Sequence, residues 1–112
     1  MKRKIIFLIS AMFIITGCKE IVLPEASFVP SSYSIEIGQT IHFKNTSSNA
    51  LTYEWDFGDG NSSTEENPSH TYTEVGLYTV SLIAANSEGS DEVSLDIYVR
   101  SKSESCWSEL AN

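Results

Sequence analysis

Asp56 and Asp59 stand three residues apart in the run Tyr53-Glu54-Trp55-Asp56-Phe57-Gly58-Asp59-Gly60, and two histidines, His42 and His70, lie on either side of it. Carboxylates so spaced can act as an acid and base pair or hold a hard cation, and a histidine beside them can move protons near neutral pH. Position argues against each use. Tyr53, Trp55 and Phe57 alternate with Glu54 and Asp56, so a pleated strand sends the rings to one face and the carboxylates to the other. Asp56 then faces outward. Asp59 falls in a turn, where Asp bonds neighbouring backbone N–H groups. A calcium loop beginning at Asp59 has Thr64 where glycine is needed and His70 where a bidentate glutamate is needed. Hydrolysis by a Ser or Cys nucleophile requires a histidine oriented by a third group. His42 reads as an exposed strand residue and offers none. Glu65-Glu66 and Asp91-Glu92 read as solvated boundary charges, and the chain has no Gly-rich phosphate loop and no Cys/His zinc spacing.

The elements that hold these residues are short strands. Gly58-Asp59-Gly60-Asn61 tolerates positive φ and turns the aromatic strand back sharply. Before it, Ser27 to Pro30 reads as an edge segment limited by Pro24 and Pro30, and Ser32 to Ile37 as a strand with Tyr33, Ile35 and Ile37 inward. Ile41 and Phe43 face in between His42 and Lys44, and Asn45 to Asn49 is a polar loop. His70 to Tyr72 is a brief strand and Thr73 to Gly76 a corner. Tyr78, Val80, Leu82 and Ala84 line one face of a long strand. Asn86 to Gly89 turns, and Val93, Leu95, Ile97 and Val99 close the sheet. About seven short antiparallel strands at this spacing predict an all-β, Ig-like sandwich. Tyr78, just after the corner, is placed to bond backward to the backbone. With no internal disulfide, Trp55, Phe43, Phe57, Tyr53 and Tyr78 must supply the core.

The segment resembles the PKD family, named from polycystic kidney disease repeats. After the aromatic strand and turn come Pro68, His70 and Tyr72, then Gly76, Tyr78, Val80, Leu82 and Asn86, in the order of the family's P-x-H-x-Y and G-x-Y-x-V-x-L patterns. The likeness runs from about Ala26 to Val99. It implies a PKD-type sandwich on a secreted or cell-surface protein, serving in binding, spacing or adhesion. Some PKD domains bind calcium, for which the matching oxygens here would be Asn45, Ser47 and Asp56. Loop and turn hydrogen bonding is the preferred reading of those residues, and no metal or cofactor is expected.

The two ends point to a compartment. Lys2-Arg3-Lys4, an apolar run from Ile5 to Ile15 and Thr16-Gly17-Cys18 read as an export signal, since the run is well short of the roughly 20 apolar residues that span a bilayer. Ile15-Thr16-Gly17-Cys18 resembles the lipobox of bacterial lipoproteins. The resemblance implies removal of residues 1–17, acylation of Cys18 by chains such as palmitate, and a lipid bilayer as partner. Residues 18–25 are then a tether, 26–100 the domain and 101–112 a disordered polar tail. Without Lys2, Arg3 and Lys4 the chain keeps four basic residues against fifteen acidic. Such a balance excludes nucleic-acid binding and charge-driven adsorption to anionic lipid. Lys19 and Glu20, with no Asp after the Cys, point by analogy to the outer membrane, and charged residues there resemble the surface-export tags of Bacteroidetes lipoproteins. Cys106 has no partner once Cys18 is acylated, leaving an intermolecular bridge, a reactive thiol or no role. Trp107 either docks on the sheet or meets a partner. The expected function is a non-enzymatic, membrane-anchored module of the cell envelope that contacts protein or glycan or acts as a spacer. The alternative is an accessory glycan-binding lipoprotein of a polysaccharide degradation or uptake system, for which Tyr98 and Trp107 are the exposed aromatic candidates.

Overall fold

The computed structural model describes residues 5–6 and 20–102. Cys18, Cys106 and Trp107 lie outside the described residues, as does most of the expected signal peptide and tail. The described chain is all strand and turn. β1 (Ile5–Ile6) pairs antiparallel with β2 (Ile21–Val22). β3 (Phe28–Pro30), β5 (Thr40–Asn45) and β8 (Ser69–Thr71) form one sheet in the order β3-β5-β8. β4 (Ser34–Glu36), β6 (Thr52–Asp56), β7 (Ser62–Ser63), β9 (Gly76–Asn86) and β10 (Gly89–Arg100) form the other, in the order β4-β10-β9-β6-β7. The two sheets bury a common core, as an Ig-like sandwich does.

Alternation explains what is inside. Ile41 and Phe43 from β5 meet Trp55 from β6, Val80 and Leu82 from β9, and Ile97 and Val99 from β10, each no more than 1% exposed. Phe28 packs edge-on against Trp55 with ring centroids 4.9 Å apart, and Phe43 tilts against it at 5.5 Å. The indole N–H of Trp55 donates to the Glu65 carbonyl oxygen at 2.8 Å, so its polar atom is satisfied.

Three expectations change. The strands are not all antiparallel, because β4 runs parallel to β10 with Ser34, Ile35 and Glu36 opposite Tyr98, Val99 and Arg100. Pro30 has no N–H with which to extend β3, and after Ser31 the chain crosses to the other sheet, entering beside β10 in the same direction. Nine strands, β2 to β10, lie within residues 20–102, more than the seven expected, the two additional ones being the two-residue strands β2 and β7. Tyr33 is not inward. It precedes β4, and its side chain is 56% exposed while its carbonyl accepts from the Tyr98 N–H at 2.9 Å.

The packed region also begins before Ala26. Pro24 is fully buried, Leu23 lies over Gly89, Val22 accepts from the Asn86 side-chain amide at 3.0 Å, and the Ala26 N–H donates to Asp91 at 2.8 Å. The N-terminal segment is thus fastened at the β9–β10 turn. Tyr98 lies at the opposite end of β10, seven residues beyond Asp91, a distance of about 23 Å along the strand.

Candidate functional site

The motif residues gather at that far end, inside the sandwich. Gly58 and Gly60 adopt φ of +85° and +95°, closing the turn between β6 and β7 with an N–H···O bond of 3.1 Å from Phe57 to Asn61. At Gly58 a Cβ would sit 2.7 Å from the Thr79 carbonyl oxygen, so both space and conformation call for glycine. Asp56 accepts from the Gly58 N–H at 2.9 Å and Asp59 from the Asn61 N–H at 3.1 Å. The second oxygen of Asp59 pairs with His70 Nε2 at 2.7 Å. That pairing ties β8, in the other sheet, to the turn, and the His70 ring stacks flat on Phe57, centroids 4.3 Å apart.

Tyr72 continues the cluster. Its ring meets His70 edge-on at 4.6 Å and stacks on Tyr78 at 4.3 Å, while its hydroxyl donates to the Phe57 carbonyl at 2.6 Å. Tyr78 donates backward to the Glu74 carbonyl at 2.8 Å, and Gly76 opens its strand. Burial opposes ionisation of Asp59, but hydrogen bonds from His70 and from the Asn61 backbone and side chain, with the His70 charge, hold its carboxyl below the ordinary 3.8. Burial, then the charge of Asp59, then Tyr78 and Asp56, push the Tyr72 hydroxyl well above its ordinary range. Tyr72 therefore remains a donor and Asp59 an acceptor. The Asp59 carboxylate, His70 Nε2 and the Tyr72 and Tyr78 hydroxyls all bond to groups of the fold itself.

The calcium candidates do not converge. Asn45 ends β5 and Ser47 sits in the loop after it: Asn45 accepts from the Ser47 N–H and donates to the Glu66 carbonyl, both at 3.0 Å, while Ser47 Oγ accepts from the Ser27 N–H and donates to the Ser27 carbonyl. That loop approaches the Thr52 end of β6, where Asn49 accepts from Asn86. Asp56 closes the other end of β6 and is exposed on the outer face. Tyr53, in the same strand, is half-buried against the core.

The opposite face of the same sheet carries different chemistry. Leu77 and Tyr98 stand directly across from one another, 65% and 51% exposed, with Ser34 on the far side of Tyr98. Along β10, Asp96 and Arg100 flank Tyr98 on this outward phase. The Thr79 hydroxyl is 2.8 Å from Asp96, and Arg100 Nη1 is 3.1 Å from Glu36. Tyr98 was legible in the sequence as exposed; Leu77 was not singled out, though an apolar residue on the polar phase of β9 is the signal that marks it. On the other sheet a shallow groove of about 500 Å³ is lined by Val29, Pro30, Ser31, His42, Phe43, Lys44 and Asn67.

Residues 22–100 match the PKD domain family. The chain belongs to that family. Collagenase ColA of Bacillus cereus is 41% identical to this PKD domain over 64 residues, which are 53% of the chain and 7% of the collagenase. The PKD1 domain of the Vibrio cholerae metalloprotease PrtV is 34% identical with a TM-score of 0.61, over 71% of this chain and all of that domain. A structure described for the carbohydrate-binding modules of the β-sandwich superfamily is 28% identical with a TM-score of 0.66, over 71% of this chain and 35% of its own. The PKD domain thus spans 7% of the length of the collagenase and about a third of the structure described for carbohydrate-binding modules.

Proposed function

We propose that this protein is a non-catalytic, membrane-anchored PKD module of a bacterial envelope, held by an acylated Cys18 and presenting its far end to a partner. The observation that carries the reading is the division between the interior of the sandwich and the outer face of β9 and β10. The Asp59, His70 and Tyr72 groups that resemble catalytic parts are hydrogen-bonded or stacked within the fold, whereas Tyr98 and Leu77 are exposed. A module that contacts rather than reacts suits that division.

The lipobox-like Ile15-Thr16-Gly17-Cys18 supports the anchor. Because the N-terminal segment is fastened from Val22, whose carbonyl accepts from the Asn86 side chain, only Lys19, Glu20 and Ile21 separate Cys18 from that residue, a reach of about 14 Å. The β9–β10 turn would then lie beside the bilayer and the Tyr98 end would point away from it. Two or more acyl chains give stable retention, as an acidic chain with little charge attraction for lipid requires. Cells fed radiolabelled palmitate test this. Label should enter the wild-type chain and not Cys18→Ala, and an unlabelled wild type would overturn the anchor.

A further inference from the structure

We propose that the outward row Asp96, Tyr98 and Arg100, with Leu77 beside it, is a binding site for a neutral glycan. The inference rests on the contact-module reading above and names the ligand class of that contact. Its chemistry comes from three features of the row.

The first is an apolar platform of limited size. Leu77 and Tyr98 are direct cross-strand neighbours and both are more than half exposed. A tyrosine ring beside a leucine gives a flat surface for the C–H face of a pyranose, with the phenol as a polar edge. The pair is too small to form the core of a standard protein interface, in which each partner contributes about 800 Å².

The second is the polar frame. On one side of the ring Asp96 is oriented by the Thr79 hydroxyl at 2.8 Å, and on the other Arg100 is oriented by Glu36 at 3.1 Å. Acceptors and donors therefore flank the ring within one row about 13 Å long, a length that can follow more than one sugar ring. A sugar hydroxyl both donates and accepts, so it satisfies a carboxylate and a guanidinium alike. Fixed polar groups around an apolar floor are what orient a small ligand.

The third concerns which ligands the row disfavours. β10 lies between β4 and β9, so its backbone is committed to ladders on both sides and an extended peptide cannot add to it as a strand. Farther along the same outward face lie Glu92, Glu54 and Asp56. A protein partner would have to desolvate those carboxylates or supply cations for them, and an anionic glycan would be repelled. A neutral polyol meets neither difficulty.

The test uses the full acylated chain in micelles of a detergent without a sugar headgroup, titrated with neutral hexasaccharides (β-1,4-glucan, β-1,4-mannan, β-1,4-xylan) and with polygalacturonate, and followed by amide NMR shifts. At least one neutral oligosaccharide should move the amides of Leu77, Tyr98 and Ser34. Tyr98→Ala should weaken its binding at least tenfold, and Arg100→Ala and Asp96→Ala at least threefold, while Leu51→Ala at the opposite end leaves it unchanged. Thermal melts of the variants separate lost binding from lost fold. The proposal is overturned if no neutral sugar moves these amides at 10 mM, if only polygalacturonate does, or if shifts persist in Tyr98→Ala. A crosslink from this row to an envelope protein, with no sugar response, would overturn the glycan assignment and leave the contact module standing. Loss of palmitate label would remove the anchor without touching the sugar result.

Discussion

The stretch where β9 meets β10 near Tyr98 has two sides built from similar residue types and put to opposite uses. Facing inward, Tyr78 opposite Ile97 joins Tyr72, His70 and Phe57 in a stack closed by the Asp59 carboxylate. Facing outward, Leu77 opposite Tyr98 is framed by Asp96 and Arg100. Each side holds an aromatic ring, a carboxylate and a basic group. What separates them is cover, since the inner rings stack on one another within the fold, while Leu77 and the Tyr98 ring are more than half exposed. Residue type alone therefore does not locate function, and the face of the strand does.

Substitutions on the inner side should cost stability in proportion to burial and constraint. The largest loss is expected at Trp55, fully buried against Phe28 and Phe43, where Trp55→Ala should cost about 3 to 5 kcal/mol and leave the domain largely unfolded by circular dichroism. Gly58→Ala follows, at about 2 to 4 kcal/mol in urea denaturation, because a positive φ and a Cβ driven into the Thr79 carbonyl act together. Tyr72→Phe keeps the ring stack and removes the 2.6 Å bond to the Phe57 carbonyl. Its expected cost is about 1 to 3 kcal/mol, that of a buried acceptor left without its donor.

Acid should act on the inner side as well. The folded Asp59 carboxyl titrates below its ordinary 3.8, so its contribution is fully present above that value and is lost as pH falls through the folded one. Denaturation midpoints should therefore differ between wild type and Asp59→Asn at pH 7, with the variant weaker, and draw together only as pH falls below 3.8 and through the folded value. A gap that stays constant with pH would show that Asp59 acts through its shape rather than its charge.

How far each side could be read from sequence follows from the same contrast. Alternation placed Trp55 and Phe43 inside and Asp56 outside, because a two-residue period reports faces directly. It misled at Tyr33, which has the inward phase but stands one residue before β4, outside the cover of the opposing sheet. The parallel pairing of β4 with β10 was not legible, since alternation says nothing about which strand lies alongside. His70 could be expected to pack or to hydrogen-bond, yet its partner Asp59 lies eleven residues away across a turn whose geometry sets the meeting. The Tyr98 row was only half visible, because its Arg100–Glu36 and Asp96–Thr79 pairs join strands distant in sequence.

The contrast is tested most directly by thermal melts of Tyr72→Phe and Tyr98→Ala run side by side with wild type. The expected result is a clear fall for Tyr72→Phe and a Tyr98→Ala transition within about 0.5 kcal/mol of wild type, as for a surface residue outside the packed core. A Tyr98→Ala chain destabilised as much as Tyr72→Phe would make the outward row part of the scaffold and contradict the account.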